Sequence, residues 1–480
     1  MKKILSLTIA AILAITALSG CGKKEEEDNA VVTMYMPKAI DSVASYDAVM
    51  AKVNEMIQEK LGCTLDLKLI DMGNYAEKIN VLVSSGEPMD LFYLSDNTTY
   101  LNYIRQDSVL QLDSLLKKYG KAILEKVDDA AWDMVRYKGD IYAVKNNGTY
   151  SVANSIVFKK DLVEKYGFDY KNVNSLQAME PYLKTIKENE PKVYPYAGQS
   201  GKTSQRYVTL TDGIVFDNDN EEYIAILDCE DAVSDYKIKA DYYQKGYIPK
   251  DIISKDDLKG EMKAGKYAIL DSPGYYTEDG SKSTSYYGFP CVETYTGNTI
   301  ISSANGARMC ISSSSTHPEK AIQVLNLIWE DPEISNTLAY GIEGTDYVID
   351  EERTAEIGSK SVIPRSGSEQ TWAIWHNWIG PLWDQWDSPW NRVEALERMK
   401  EMNKDAIIAK CFGFNFDNTP VKAEEARCSA IYEECRRVFN YGCMDNFEQY
   451  LEATRKKYKD AGIDKVVEEI NRQYKEWKNN

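Results

Sequence analysis

Six of the nine tryptophans lie in one short segment, with amides and carboxylates between them. They are Trp372, Trp375, Trp378, Trp383, Trp386 and Trp390. An indole offers a flat apolar face to the C–H face of a sugar ring, and neighbouring polar side chains can bond its hydroxyls. Gly380 and Pro381 predict a loop here, and loops on rigid scaffolds carry binding. The predicted ligand contacts in this segment are Trp375, Asn377, Trp378 and Trp383.

The competing interpretation is that these indoles belong to a hydrophobic core, because aromatic side chains dominate cores as well. Trp372, Trp375 and Trp378 are spaced three residues apart, which suits one helical face. We expect roughly half of the cluster to serve in packing.

Composition excludes several other kinds of chemistry. Only two histidines occur, His317 and His376. So few histidines disfavour both a histidine-based zinc site and a Ser-His-Asp triad. Lys plus Arg total 57 against 75 Asp plus Glu, a net charge of −18, which disfavours binding to a phosphate backbone.

Three motifs resemble functional sites but fail on spacing or composition. Gly201-Lys202-Thr203 would end a P-loop only if a glycine stood where Tyr196 does. The run Asp217–Asn220 resembles the start of a calcium loop, but Glu222 occupies the place of the required glycine. Carboxylate pairs such as Glu351-Glu352 are numerous because the chain is acidic, so they do not identify a glycosidase pair. We therefore expect no metal, no nucleotide and no cofactor.

The N-terminus predicts export. Lys2 and Lys3 precede an apolar run too short to span a bilayer, as in a signal peptide over residues 1–20. The run ends in Leu18-Ser19-Gly20-Cys21, which resembles the lipobox of bacterial lipoproteins. The resemblance implies cleavage before Cys21 and a diacylglyceryl group on its sulfur, with residues 21–30 as a tether. The alternative is a secreted protein with a chance cysteine.

Eight further cysteines are scattered through the chain without CxxC spacing. An exported location permits disulfides, but spacing alone assigns no connectivity.

Hydrophobic periodicity predicts an α/β fold. Val31–Met36, the alternating Leu65, Leu67 and Leu69, and Asp90–Leu94 read as strands. The intervening stretches 46–61 and 75–85 carry helical spacing and end at glycines. This alternation of strands and helices is typical of a parallel sheet with helical crossovers. In such sheets ligands bind beyond the carboxyl ends of the strands.

That rule selects candidate contacts outside the tryptophan segment. Tyr93, Asp96 and Asn97 end the third strand at the ligand edge. Asn147 lies in a turn after the strand 141–144 and is a candidate hinge and contact. Arg206 is a candidate donor, against the alternative of a solvated surface arginine.

Several runs, in consecutive order, resemble the family 1 extracellular solute-binding proteins, the receptors of carbohydrate ABC importers. They are SSGEPMDLFYLSD (84–96), KGDIYAVKNN (138–147), IVFKKDLVEKYGFD (156–169), GKYAILDSPGYY (265–276) and the run 317–347. Residues 410–426 with 461–477 are similar to the DUF3502 domain of lipoprotein members of that group.

The resemblance implies a two-lobed, type II periplasmic-binding-protein-like fold with the ligand cleft between the lobes. It implies lobe 1 from 31–147 and 298–345, lobe 2 from 148–297 and 346–409, and a helical C-terminal region from 410–480. Hinges are expected near Asn147 and Gly297-Asn298. Tyr275 and Tyr276 follow a turn where relatives place an aromatic over the sugar.

The functional expectation is a lipid-anchored, monomeric receptor on the outer face of the cell membrane that hands a carbohydrate to an ABC permease. In it Tyr93 and Asp96 would come from the first lobe, and Trp375 and Trp378 from the second. Two alternatives are an exported glycoside hydrolase, which would also line a cleft with tryptophans, and a peptide receptor. A hydrolase would release reducing ends from oligosaccharides, whereas a receptor would not. The dense tryptophan cluster favours sugar rings over peptides and so argues against a peptide receptor.

Overall fold

The computed structural model describes residues 29–148, 150–151, 155–198, 206–211, 213–272, 276–277, 279–295 and 299–479. Its strands are β1 Val31–Pro37, β2 Thr64–Ile70, β3 Leu91–Leu94, β4 Arg136–Tyr137, β5 Asp140–Ile141, β6 Val144–Lys145, β7 Ser155–Lys159, β8 Tyr194–Tyr196, β9 Tyr207–Thr211, β10 Ile214–Asp217, β11 Glu222–Ala225, β12 Tyr267–Leu270, β13 Cys291–Tyr295, β14 Ile300–Ile301, β15 Arg308–Ile311, β16 Tyr347–Ile349, β17 Val362–Pro364 and β18 Ile407–Ile408.

The helices alternate with these strands in the first half of the chain and dominate its end. They are α1 Tyr46–Leu61, α2 Met72–Ser85, α3 Asn97–Arg105, α4 Asp113–Tyr119, α5 Lys121–Lys126, α6 Asp129–Asp133, α7 Lys160–Tyr166, α8 Leu176–Asn189, α9 Glu230–Gln244, α10 Leu258–Lys263, α11 Ser281–Tyr287, α12 Pro318–Glu330, α13 Pro332–Tyr340, α14 Glu351–Ile357, α15 Val393–Asp405, α16 Lys422–Tyr441, α17 Phe447–Ala461 and α18 Ile463–Lys478. None of the helices in the described ranges has the length and apolarity to cross a membrane.

The first lobe is built on a five-stranded sheet of order β2-β1-β3-β15-β6. β1 pairs in parallel with both β2 and β3, while β15 returns antiparallel to β3. Alternate residues of β1, Val32, Met34 and Met36, are fully buried, as a strand packed on one face requires. Helix α1 ends before Gly62, whose φ of 64° lies in the left-handed region that favours glycine.

The second lobe contains a four-stranded sheet of order β13-β7-β12-β8. β12 runs parallel to β8 and antiparallel to β7. Its core includes Phe158, Tyr182 and Phe168, and the last two rings stack with centroids 4.5 Å apart. The carboxyl ends of the parallel strands β8 and β12 lie at the same edge of this sheet, as those of β1 and β3 do in the first lobe.

A third apolar cluster joins the second lobe to the C-terminal helices. It combines the small sheet β11-β10-β9 and helix α9 with α16, α17 and α18. On α18 the stripe Ile463, Val466, Ile470 and Tyr474 is buried, as its spacing predicts, whereas Trp477 remains 40% exposed. The C-terminal region therefore extends the second lobe.

Residues 347–390 pack on the first lobe, which corrects the expectation that the chain from 346 belongs to the second. Trp372, Trp378 and Ile379 belong to the first lobe's core. The Trp372 indole donates to the Leu338 carbonyl at 2.8 Å. The segment joins this lobe because its apolar rings find their buried surface on α13 and β3.

Three chain segments cross between the lobes and meet at one small apolar cluster, the hinge cluster. The first crossing contains Tyr150, the second Ile301 and the third Ala406. It consists of Met134, Tyr150, Ile301, Ala304, Ala406 and Phe412, with Ala130 beside it. β14 of the second crossing pairs in parallel with β18 of the third. The expected hinge at Gly297-Asn298 lies outside the described residues, whereas Asn147 adjoins the first crossing.

The eight cysteines between Cys63 and Cys443 are all free thiols. Burial raises the pKa of each, Cys310 and Cys291 to about 12. They serve as small apolar packing residues.

Candidate functional site

The end of β3 shapes the ligand edge of the first lobe. Asp96 is the N-cap of α3, and its carboxylate accepts from the Thr99 amide at 2.6 Å. The Asn97 amide oxygen accepts from Arg308 at 2.9 Å. Both predicted contacts lie at the expected edge, and both already have structural partners there.

Three aromatic side chains form a ladder from the core to the surface beside this edge. The Tyr93 and Trp378 rings lie 5.3 Å apart, and the Trp378 and Trp375 rings 4.5 Å apart. Tyr93 and Trp378 are 7% and 6% exposed, whereas Trp375 is 52% exposed. Asn377 is exposed next to them. The ladder gives an exposed indole a rigid buried base, which suits stacking on an apolar ring face.

The ladder corrects the assignment of its two tryptophans to the second lobe, because Trp378 packs on Tyr93 of the first lobe's β3. The helical face of the competing interpretation does not form: the segment is a loop, as Gly380 and Pro381 predicted, with a single 3₁₀ turn at His376–Trp378. Gly380 and Pro381 follow it, and proline cannot continue a helix.

The other tryptophans of the segment have mainly packing roles. Trp372 is buried. The Trp383 indole donates to both carboxylate oxygens of Asp128, at 3.1 and 3.2 Å, so this predicted ligand contact ties the segment to the first lobe. Trp386 stacks on Tyr340 with centroids 6.0 Å apart. Trp390 is 38% exposed.

On the second lobe an aromatic pair and polar groups lie at the ends of β12 and β13. Tyr276 stacks on Tyr295 with ring centroids 5.0 Å apart. Ser155 donates to Ser272 at 3.0 Å. Tyr275, predicted with Tyr276, lies outside the described residues. The sequence did not predict Tyr295 as a contact. Its spacing of two residues from Glu293, which places both side chains on one face of a strand, could have indicated it.

Asp271 is the most perturbed carboxyl of this edge. Burial raises its pKa to about 6, against the opposing effect of Lys239. Its Oδ1 atom is buried and has no hydrogen-bond partner among the described residues. Together with Ser272 it lines a cavity of about 650 Å³ whose other wall includes Arg437 of α16. An acceptor of this kind can receive a ligand hydroxyl.

Two predicted contacts have structural roles elsewhere. Arg206 makes a two-pronged ion pair with Asp217 at the β9–β10 edge, with Nη2 2.9 Å from the carboxylate. Asp217 is 2% exposed, so this pair stabilises a buried carboxylate rather than the cleft. Asn147 is fully buried and donates to the Lys126 carbonyl at 2.9 Å, which fits the hinge role.

The family model of the bacterial extracellular solute-binding proteins matches residues 41–329. The model of DUF3502, a domain of unknown function, matches residues 410–479. The chain belongs to the bacterial extracellular solute-binding proteins.

Similar proteins agree with this family and with the predicted two-lobed fold, which is confirmed. A carbohydrate ABC transporter substrate-binding protein of Streptococcus pneumoniae serotype 4 is 26% identical over 482 residues, covering 98% of this chain and 96% of that protein. The N-glycan transport solute binding protein NgtS of Streptococcus pneumoniae has a TM-score of 0.76 at 24% identity, covering 94% of this chain and 100% of that one.

Two further solved structures share the fold. The same streptococcal protein in complex with Man5GlcNAc has a TM-score of 0.61 at 25% identity, covering 94% of this chain and 99% of that one. An extracellular solute-binding protein of Bifidobacterium longum subsp. infantis has a TM-score of 0.63 at 15% identity, covering 93% and 98%.

The titratable groups of this solute-binding protein form no metal site in the described ranges, where no group of three His, Cys, Asp or Glu could hold an ion. His376 lies beneath the aromatic segment, and burial lowers its pKa to about 3, so its ring is neutral at physiological pH. It packs beside Tyr340 as a core residue.

Proposed function

We propose that this chain is a lipid-anchored receptor that captures a carbohydrate, of oligosaccharide size, and delivers it to an ABC importer without chemical change. The observation that carries the proposal is the ladder Tyr93–Trp378–Trp375, which presents an indole at the ligand edge of the first lobe. The name of the streptococcal relative, a carbohydrate ABC transporter substrate-binding protein, supports the ligand class and the importer.

In the proposed complex, a sugar ring stacks on Trp375 while its hydroxyls meet polar groups of the second lobe. Asp271 and Ser272, which line one cavity of the second lobe, provide acceptors, and the stacked pair of Tyr276 and Tyr295 provides a second aromatic surface. The ligand then contacts both lobes only when they approach, so binding favours a closed state. The three crossings that meet at the hinge cluster provide the axis for this motion.

The structures of the streptococcal N-glycan protein indicate which ligands to test first. This chain matches the structure described without a ligand at a TM-score of 0.76, but the Man5GlcNAc and Man1GlcNAc complexes at 0.61 and 0.63. N-glycan fragments of this kind are therefore the first ligands to test.

Anchoring is proposed from the lipobox-like Leu18–Cys21, which lies outside the described residues. Two acyl chains hold a protein stably at a membrane, whereas one does not. Cys21→Ala should move the protein from the membrane fraction to the medium or periplasm. Retention of the variant in the membrane fraction would contradict the anchor.

Thermal-shift screening against monosaccharides and oligosaccharides, including Man5GlcNAc, tests the function. A ligand that binds only the folded state at a hundred times its Kd stabilises it by about 2.7 kcal/mol. The same samples are assayed for new reducing ends. Stabilisation without new reducing ends is expected, and release of reducing ends would instead indicate a glycoside hydrolase.

A further inference from the structure

Helix α15 contacts both faces of the cleft. On one side, Leu396 and Met399 pack with Leu382 and Trp383 of the aromatic segment. On another side, Met402 packs against Tyr276. The Arg398 guanidinium lies 5.0 Å over the ring of Tyr295. A movement of either lobe against the other must therefore change contacts of this helix.

The end of α15 is bonded to the first crossing by one buried amide. The Oδ1 atom of Asn403 accepts from the amides of Tyr150 at 3.0 Å and Ser151 at 3.2 Å, and from the Ser151 hydroxyl at 3.2 Å. Its Nδ2 atom donates to the Gly148 carbonyl at 2.7 Å. Asn403 is only 6% exposed, so water does not readily replace these bonds.

These bonds complete the linkage of the three crossings. Asn403 ties the first crossing to the third, and the β14–β18 pair ties the second to the third. Tyr150, whose backbone amide donates to Asn403, places its ring in the hinge cluster with Ile301 and Phe412. A change in the position of α15 is therefore transmitted to all three crossings.

We propose that Asn403 is a positioning residue for ligand capture, coupling the cleft contacts of α15 to the hinge so that the lobes close as a unit. This inference rests on the proposed function for its ligand, but the coupling itself is a property of the ligand-free protein. Loss of the amide removes the partner of three donors, in Tyr150 and Ser151, and of one acceptor, the Gly148 carbonyl. The crossing is then less ordered, and closure must order it again.

The test compares Asn403→Ala with a matched asparagine in the first lobe. Asn326 is also buried, and its Oδ1 accepts from the amides of Ala122 at 2.8 Å and Ile123 at 3.3 Å, away from the crossings. Both variants should lower the melting temperature. Asn403→Ala should also weaken Man5GlcNAc binding about 10-fold, whereas Asn326→Ala should change it less than about 2-fold.

Two readouts on ligand-free protein separate this inference from the proposed function. In Asn403→Ala, hydrogen exchange of the Tyr150 and Ser151 amides should accelerate and small-angle scattering should show a broader distribution of sizes. Ser151→Ala removes only the hydrogen bond from the Ser151 hydroxyl to Asn403. It should change hydrogen exchange and scattering in the same direction but by less, and it replaces Asn403→Ala in the test if that variant folds poorly.

Each outcome decides one question. If both asparagine variants lose melting temperature alike while exchange, scattering and affinity match the wild type, Asn403 is merely structural and the inference is wrong. If wild-type protein binds no glycan, the proposed function fails, while exchange and scattering still decide the coupling.

Discussion

The two faces of the cleft differ in what they expose. The first lobe presents Trp375, an apolar ring that is half exposed before any ligand arrives. On the second lobe Asp271 and Ser272 are partly buried polar side chains, with the Oδ1 atom of Asp271 itself out of contact with solvent, and Tyr276 is largely buried. An exposed indole requires little desolvation of polar atoms, whereas a buried carboxylate binds a hydroxyl only when water is excluded. For the proposed receptor, this difference predicts stacking on the first lobe before polar contacts form on closure.

The largest expected effect tests whether the ladder is a rigid base. Trp378→Ala removes a buried indole from the first lobe's core and should reduce the free energy of unfolding by roughly 3–5 kcal/mol, measured by denaturant titration. Glycan affinity should fall as well, because Trp375 loses its support. Weaker binding with unchanged stability would show that Trp378 contacts ligand directly instead.

A smaller effect, confined to binding, is expected at the top of the ladder. Trp375→Ala should weaken glycan binding by on the order of 1–3 kcal/mol in calorimetric titration, with little change in melting temperature, because the ring is half exposed. Trp477→Ala on α18 is the control, since this indole has similar exposure but lies on the C-terminal region. Equal affinities of both variants would remove Trp375 from the site.

The effect expected at the second face is of similar size and depends on pH. The pKa of Asp271 is raised to about 6, so between its unfolded value near 4 and this value the folded state binds more protons. Stability from this group is therefore present at low pH and falls as pH rises through that window. Since the carboxyl is only partly buried, the loss by pH 7.5 should be about 2 kcal/mol.

The comparison of wild type with Asp271→Asn measures this loss. The variant should melt higher than the wild type at pH 7.5 and lose that advantage at pH 4. The exposed Asp256 lines the same cavity, and Asp256→Asn is the matched control. A difference between wild type and Asp271→Asn that does not vary with pH would contradict the polar, desolvated character of this face.

Local sequence determined the elements that carry the lobes. The predicted helix 46–61 has those bounds in the structure, and the predicted helix 75–85 ends where expected but begins at Met72, because apolar spacing and a C-terminal glycine act within a few residues. The same reasoning placed Tyr93, Asp96 and Asn97 at the carboxyl end of β3, since strand order and parallel pairing define that edge, and their contact with ligand stays a prediction. The family followed from runs of residues in order along the chain.

Only the tertiary structure decided which lobe receives the aromatic segment and which indole stays exposed. Trp372, Trp375 and Trp378 are alike in type and spacing, and their burial depends on surfaces contributed by Leu338 and Tyr93, far away in the chain. Arg206 likewise could not be separated from a cleft donor until the fold brought it to Asp217. Periodicity reports which face of an element is apolar, but it does not report the partner surface, because that surface exists only after the chain has folded.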